Sequence, residues 1–214
     1  MIHDLIHFFG GAICHQLEER SLYAEGSSLS ICARCTGIYI GIISTLFYLL
    51  LWKKKRPITI PSKKTSFLLL LLFLPLIADG VGSYLHLFES NNLRRLITGI
   101  SFGLVLPYFL FPLMSTTSLE PTAEPIIDKK KDFFIPLLLS IFLGSLFYLG
   151  KPSHLVLDSL LIVSLILWFT IVASFLFSIC QNIRIKWTLA FVTGTSILLL
   201  LAQLHEWVLA AVLK

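Results

Sequence analysis

Charged residues are scarce in this sequence. Lysine, arginine, aspartate and glutamate make up 14% of it, whereas soluble globular proteins carry about 25%. Apolar residues, 56% of the total, form long runs without charge, as in residues 67–77. Because about 20 consecutive apolar residues cross a bilayer as a helix, this composition excludes an ordinary soluble protein. It predicts an all-α fold, a polytopic membrane helix bundle whose partner is the lipid bilayer.

The apolar runs predict about six transmembrane helices, at residues 31–52, 66–88, 94–114, 133–150, 155–179 and 187–213. The first residues lack the basic start of a cleavable signal peptide, so we expect a short interfacial helix there. The chain then divides into an N-terminal segment (1–30), a three-helix half (31–114), a polar cytoplasmic linker (115–132) and a second three-helix half (133–214).

The basic residues predict the orientation of these helices. Most of the 17 lysines and arginines lie in the polar segments after the first, third and fifth spans. Cytoplasmic loops carry an excess of such residues. We therefore expect a multi-pass protein of the cell membrane with both termini and the N-terminal segment outside the cytoplasm. Since the basic residues lie between the spans, the net charge of +5 does not indicate a nucleic-acid partner.

Cysteine is rare, yet three of the four cysteines lie in one short segment. Cys14, His15, Cys32 and Cys35 form the pattern C-H-x16-C-x2-C. Three thiolates and one imidazole make a closed tetrahedral shell for zinc or another transition metal. Adjacent Cys14 and His15 can both bind one ion only with a contorted backbone, and His86 or His205 could replace His15.

Two other interpretations of the cysteines remain open. C-x-x-C at the start of a helix lowers a thiol pKa and suits disulfide exchange, so Cys32 and Cys35 could be a redox pair with Cys14 as a resolving thiol. The predicted side of the membrane permits disulfides. Alternatively, the cysteines are only structural.

A second polar cluster follows Asp79, an acid predicted to lie inside the second span. Ionisable groups inside a membrane are costly and mark candidate functional sites. Asp79 or Glu89 would be the general base, and an anionic group would be held by Asn91, Asn92, Arg94 and Arg95. The structural alternative is that Asp79 pairs with Arg94 or Arg95 and locks two helices together, next to a solvated basic face.

Small residues predict where helices approach closely. Gly37 and Gly41 in the first span, and Gly99 and Gly103 in the third, are each four residues apart. This spacing allows the backbones of membrane helices to come into contact.

Several motifs, in order, resemble an uncharacterised family of prokaryotic integral membrane proteins, a domain of unknown function. They read CHQLEERS, CARCTGIYIG, DG and ESNNLRRLITG, and the likeness covers residues 14–103. The resemblance implies no activity. It implies as signature positions Cys14, His15, Gln16, Arg20, Ser21, Cys32, Arg34, Cys35, Gly37, Tyr39, Asp79, Gly80, Glu89, Asn91, Asn92, Arg94, Thr98 and Gly99.

Three functional hypotheses follow from these residues. The first is a metal–thiolate site next to an acidic, arginine-lined pocket, in a metal-dependent enzyme that acts on a lipid or lipid-linked anion. The second is a membrane thiol–disulfide oxidoreductase that uses Cys32 and Cys35. The third is a transporter, although the inner halves of the spans show no polar path. The oligomeric state does not follow from the sequence.

Overall fold

A computed structural model describes residues 2–53, 57–114 and 122–212. Six stretches are long and apolar enough to cross a membrane: Ala33–Trp52, Lys63–Tyr84, Asn92–Leu113, Lys131–Leu149, His154–Ala173 and Ile183–Ala211. The predicted all-α polytopic membrane bundle is therefore confirmed. Residues 115–121 of the predicted linker, and the basic residues 54–56, lie outside the described residues.

The chain forms two compact units. The first consists of Met1–Cys35 and Gly150–Lys214, and the second of Thr36–Leu149. In the first unit, helix α1 (Ile2–Gly11) precedes strands β1 (Ser21–Ala24) and β2 (Ser27–Cys32), and helices α7 (His154–Ala173) and α8 (Ile183–Val212) complete it. The second unit holds most of α2 (Ala33–Trp52), together with α3 (Lys63–Leu71), α4 (Leu74–Tyr84), α5 (Asn92–Leu113), α6 (Lys131–Leu149) and the short strands β3 (Ile58–Thr59) and β4 (Glu124–Pro125).

A tight β-hairpin is the feature of the first unit that composition did not reveal. Strands β1 and β2 pair antiparallel, with Ala24 opposite Ser27. The two turn residues, Glu25 and Gly26, both have positive φ, 52° and 81°. Two-residue hairpins favour this conformation because its twist matches that of the strands. The hairpin ends at Cys32 and α2 begins at the next residue.

Close helix packing in the second unit confirms the prediction from the glycine pairs. A Cβ atom at Gly41 would lie 2.6 Å from the backbone nitrogen of Leu104 on α5. A Cβ atom at Gly37 or Gly103 would overlap the backbone of the facing helix. Helices α2 and α5 therefore meet at their backbones. Thr45 reinforces the contact, since its hydroxyl donates to the Leu104 carbonyl at 3.1 Å.

The second predicted span, residues 66–88, differs from the structure. It consists of α3 and α4, interrupted at Leu72 and Phe73, and α4 ends at Tyr84. Pro75 lies in the first turn of α4, where a missing N–H costs nothing. His86 has φ 55° and lies beyond the helix, so it does not share a helical face with Asp79.

The second unit also contains a buried polar network, which the sequence analysis did not predict. Asp132, 1% exposed, accepts hydrogen bonds from the Tyr48 hydroxyl and from Lys53 Nζ at 3.0 Å. The Tyr108 hydroxyl donates to the Asp132 carbonyl. The network ties the end of α2 and the middle of α5 to the start of α6.

Candidate metal centre

The cysteine segment folds so that its three thiols converge. The chain after α1 carries Cys14, the end of β2 carries Cys32, and the first turn of α2 carries Cys35. Their three Sγ atoms all lie within 4.8 Å of one another. Cys14 is buried and the other two are partly buried. By its geometry this group can hold a metal ion.

The backbone around Cys14 is arranged to stabilise a thiolate. The N–H groups of Gln16 and Cys32 donate to Cys14 Sγ at 3.5 and 3.2 Å. Cys35 Sγ lies 4.0 Å from the Ile13 carbonyl oxygen. Hydrogen bonds to the charged form of a group favour that form, and conserved donors of this kind hold ligands around metals. The loop therefore suits sulfur ligands in their anionic form.

Gln16 positions this loop. The residue type alone did not indicate this role in the sequence. Its amide donates to the His7 carbonyl of α1 at 2.6 Å and to the Ser30 carbonyl of β2 at 2.9 Å. Its φ of 52° is unusual for a residue other than glycine. Gln16 thus holds α1 and β2 together on either side of Cys14. Only its place in the family signature indicated that it mattered.

Gly10 allows α1 to pack closely against the hairpin and the Cys14 loop. A Cβ atom at Gly10 would lie 2.6 Å from the Ser30 carbonyl oxygen and 2.9 Å from Gln16 Nε2. A larger residue at this position would push α1 away from the hairpin. The end of α1, the hairpin and the Cys14 loop consequently form one closely packed support.

Hydrogen bonds among the three thiols shift the pKa values of Cys14 and Cys32 in opposite directions. Hydrogen bonds from the Cys14 and Cys35 thiols hold the pKa of Cys32 well below its ordinary value. The hydrogen bond to Cys32 raises the pKa of Cys14. The three thiols thus interact with one another, and a second or third thiolate requires a compensating positive charge.

His15, the predicted fourth ligand, is exposed and is not part of the three-thiol group. His205 of α8 lies against the end of α1: its Cδ2 would be 2.9 Å from a Cβ atom on Gly11. Within the described part of the chain, its buried Nε2 has no hydrogen-bond partner. Two histidines therefore remain candidates for the fourth ligand.

The Asp79 cluster lies in the second unit, and the structure shows the predicted ion pair. Asp79 is 0% exposed. Its Oδ1 lies 3.2 Å from Arg94 Nε and accepts a hydrogen bond from the Ser90 hydroxyl at 2.6 Å. The Arg94 guanidinium also lies 4.0 Å from the centre of the Phe88 ring. This arrangement joins α4 to the start of α5, as the structural alternative predicted.

The other predicted residues of this cluster lie around the start of α5. Asn91 caps the helix, because its Oδ1 accepts from the Arg94 N–H at 2.8 Å. Arg95 Nη1 donates to Asn92 Oδ1 at 3.0 Å. Glu89 is exposed. Of the two predicted bases, then, Glu89 is accessible and Asp79 is enclosed.

Comparison with known proteins identifies the family. The profile of a family described as a predicted membrane protein, domain of unknown function 2085 (DUF2085), matches residues 14–109. An uncharacterised protein of Methanothermobacter thermautotrophicus is 37% identical over 97 residues, which are 44% of this chain and 80% of that protein. The chain belongs to the DUF2085 family. This confirms the resemblance seen in the sequence motifs.

A second relative is similar to the chain over a comparable length. An uncharacterised protein of Methanocaldococcus jannaschii is 34% identical over 101 residues, or 47% of this chain, and the match spans 63% of that relative. No solved structure matches the chain. The family profile includes Cys14, Cys32, Cys35, Asp79 and Arg94, and it ends before α6.

Proposed function

We propose that this membrane protein binds a transition metal, most simply Zn²⁺, through Cys14, Cys32 and Cys35. The observation that carries the proposal is the convergence of three thiols from two separate segments within 4.8 Å. Sulfur ligands 2.3 Å from a tetrahedral zinc ion are about 3.8 Å apart. The thiols would therefore need to move by only about 1 Å to bind the ion, and the N–H donors to Cys14 are already in place.

The fourth ligand decides what such a site does. A protein ligand, His15 or His205, would close the shell and make the metal structural. A water molecule in the fourth position would become acidic on the metal and provide a nucleophile. His205 has the stronger support, because its Nε2 is buried and has no hydrogen-bond partner within the described ranges, whereas His15 is exposed.

The more specific proposal is a metal-dependent enzyme that acts on a lipid or lipid-linked anion. An apolar groove of about 510 Å³ between α5 and α6 supports it, since it is lined by residues such as Leu93, Ile97 and Tyr148 and has the size of ligand pockets. Leu93 precedes Arg94 and Arg95 at the start of α5. An acyl or prenyl chain in the groove would bring its anionic group to these arginines, with the exposed Glu89 as the base.

Metal content and thiol accessibility test the metal site. Protein purified in mild detergent without chelator should contain about one zinc ion per chain. Cys14, Cys32 and Cys35 should resist alkylation until a chelator is added, while Cys180, outside the group, should react equally in both conditions. Absence of metal together with a Cys32–Cys35 disulfide that reduces and re-forms would overturn the proposal in favour of thiol–disulfide exchange.

Anionic lipid binding tests the more specific proposal separately. Phosphatidic acid or a polyprenyl phosphate should raise the Tm of the purified protein more than phosphatidylcholine does. The Arg95→Gln variant should lose most of this difference, whereas Lys151→Gln, which changes an exposed basic residue in the loop before α7, should keep it. Equal responses of both variants would exclude the arginines as an anion site without affecting the metal proposal.

We also propose that the cysteine site faces away from the cytoplasm. The asymmetric distribution of basic residues supports this orientation. A Ser27→Cys variant, exposed in the hairpin turn, should react with a membrane-impermeant maleimide in intact cells. A Thr122→Cys variant, exposed before α6, should react only after lysis. The reverse pattern would invert the topology.

A further inference from the structure

A second group of ligand-type side chains lies in the first unit, where α1 packs against α7. His3 and His7 are four residues apart on α1, and His154 and Asp158 are four residues apart on α7. Residues at this spacing share a helical face. The ring centres of His3 and His7 are 4.4 Å apart, and those of His3 and His154 are 5.5 Å apart. Three imidazoles and a carboxylate are thus brought together by two helices.

Two buried polar atoms in this group lack hydrogen-bond partners within the described residues: His7 Nε2 and Asp158 Oδ2. An unsatisfied buried acceptor or donor destabilises a fold. Asp158 is 0% exposed, and its other oxygen accepts from both the N–H and the hydroxyl of Ser30 at 2.9 Å. The carboxylate is therefore fixed in place, with Oδ2 turned towards His154 Nε2 at 3.3 Å.

We propose that His3, His7, His154 and Asp158 form a second metal site, for a divalent ion of the zinc class. Three imidazole nitrogens and one carboxylate oxygen are a tetrahedral donor set that zinc accepts. With Zn–N distances of about 2.0–2.1 Å, the centres of two ligating rings lie about 5 Å apart, and the observed 4.4 and 5.5 Å lie on either side of this value.

Binding requires side-chain rotation, and His154 Nε2, which lies 2.9 Å from the Ser28 carbonyl oxygen, would exchange that hydrogen bond for the ion. The His3 and His154 rings lie at 18° to each other, so their nitrogens do not point to a common centre in the ion-free arrangement. The exposed His3 is free to turn about its side-chain bonds. A cation would replace the ring contacts of His3 with His7 and His154 by nitrogen–metal bonds and would neutralise the buried carboxylate of Asp158.

This site is separate from the cysteine centre and does not depend on it. Its four residues lie outside residues 14–109, the range that the DUF2085 profile matches. The two centres nevertheless share a support, because Ser30 binds Asp158 through its N–H and hydroxyl and Gln16 through its carbonyl. Metal at the second site would stabilise the packing of α1, β2 and α7 behind the cysteine loop.

Cobalt titration of the full-length, tag-free protein distinguishes the two sites. Thiolate-bound Co²⁺ has intense sulfur-to-metal charge-transfer absorption, whereas Co²⁺ bound to nitrogen and oxygen lacks it. We expect two Co²⁺ ions per chain, one with this absorption and one without. His3→Ala should bind one ion and keep the full charge-transfer band. Because His3 is exposed, this variant should fold normally.

Two further variants complete the test. His154→Gln, which retains a hydrogen-bond donor for Ser28, should also lose the ion without charge transfer. His86→Ala, which removes an exposed histidine of the other unit, should keep both ions. A wild-type protein that binds a single thiolate-bound ion, or a His3→Ala protein that still binds two, would overturn the second site. A wild-type protein that binds Co²⁺ without any charge-transfer band would instead count against the cysteine centre.

Discussion

Replacing Asp79 with asparagine should destabilise the protein by about 2 kcal/mol. Asp79 is fully buried, forms an ion pair with Arg94 and accepts a hydrogen bond from Ser90. Hydrogen bonds to a charged group contribute about 1.5–3 kcal/mol, against about 0.5–1.5 for neutral pairs. The amide keeps both contacts but loses the charge, so each bond weakens by about 1 kcal/mol. Arg94 is 45% exposed and can turn to water, which keeps the loss below that of a fully buried pair.

Thermal unfolding in mild detergent measures this loss. For a chain of this size, 1 kcal/mol changes Tm by about 2–4 °C, so Asp79→Asn should lower Tm by about 4–8 °C. The matched control is Glu89→Gln, the same change of charge at an exposed position, for which less than about 0.5 kcal/mol is expected.

A double-mutant cycle isolates the ion pair. If Asp79 and Arg94 lock α4 to α5, Asp79→Asn combined with Arg94→Gln should cost less than the sum of the single changes, by about 0.5–3 kcal/mol. Additive effects, or an Asp79→Asn shift no larger than that of Glu89→Gln, would refute the lock. Asp79 would then be available for the role of general base predicted from the sequence.

Three further predictions concern packing, the second ion pair and the metal. Gly103→Ala should cost about 1–3 kcal/mol of stability, because the added methyl group overpacks α2 against α5. The control is Gly80→Ala, whose added Cβ has no atom within 4 Å and which should be neutral or stabilise by up to about 1 kcal/mol. Equal shifts in Tm would contradict the close crossing of α2 and α5. Asp132→Asn leaves the Lys53 ammonium buried without its counter-ion and should cost about 3–5 kcal/mol of stability. Asp128→Asn, the same change at an exposed position, should cost less than about 0.5 kcal/mol. An equally small loss for Asp132→Asn would show that water reaches Lys53. Chelation should lower Tm, and added Zn²⁺ should restore it, because a ligand at 100 times its Kd stabilises the folded state by about 2.7 kcal/mol. An unchanged Tm would argue against a bound metal.

Hydropathy predicted the spans well because the cost of placing polar groups in lipid depends on each segment by itself. The errors concern the second span, where turns interrupt and end the helix. The break between α3 and α4 and the early end of α4 at Tyr84 follow from turns that composition does not report. His86 consequently lies beyond the end of α4, although the predicted span of residues 66–88 included it.

Long-range polar contacts were the least accessible from the sequence. In the sequence, Lys53 is one of several basic residues after the first span, yet in the structure it binds Asp132, 79 residues away. The pairing of Asp79 with Arg94 was only one of two alternatives. In both cases the residue types were visible, but their partners depend on how the helices pack.

The sequence by itself determined that the chain is a membrane protein with about six spans, that three of its four thiols lie in one segment, and that its motifs resemble one family. These properties depend on local composition and order. Only the tertiary structure decided that Cys14 meets Cys32 and Cys35, that His15 is exposed, and that α1 and α7 bring histidines to Asp158. Such contacts depend on turn conformation and on packing between distant segments, which no local pattern records.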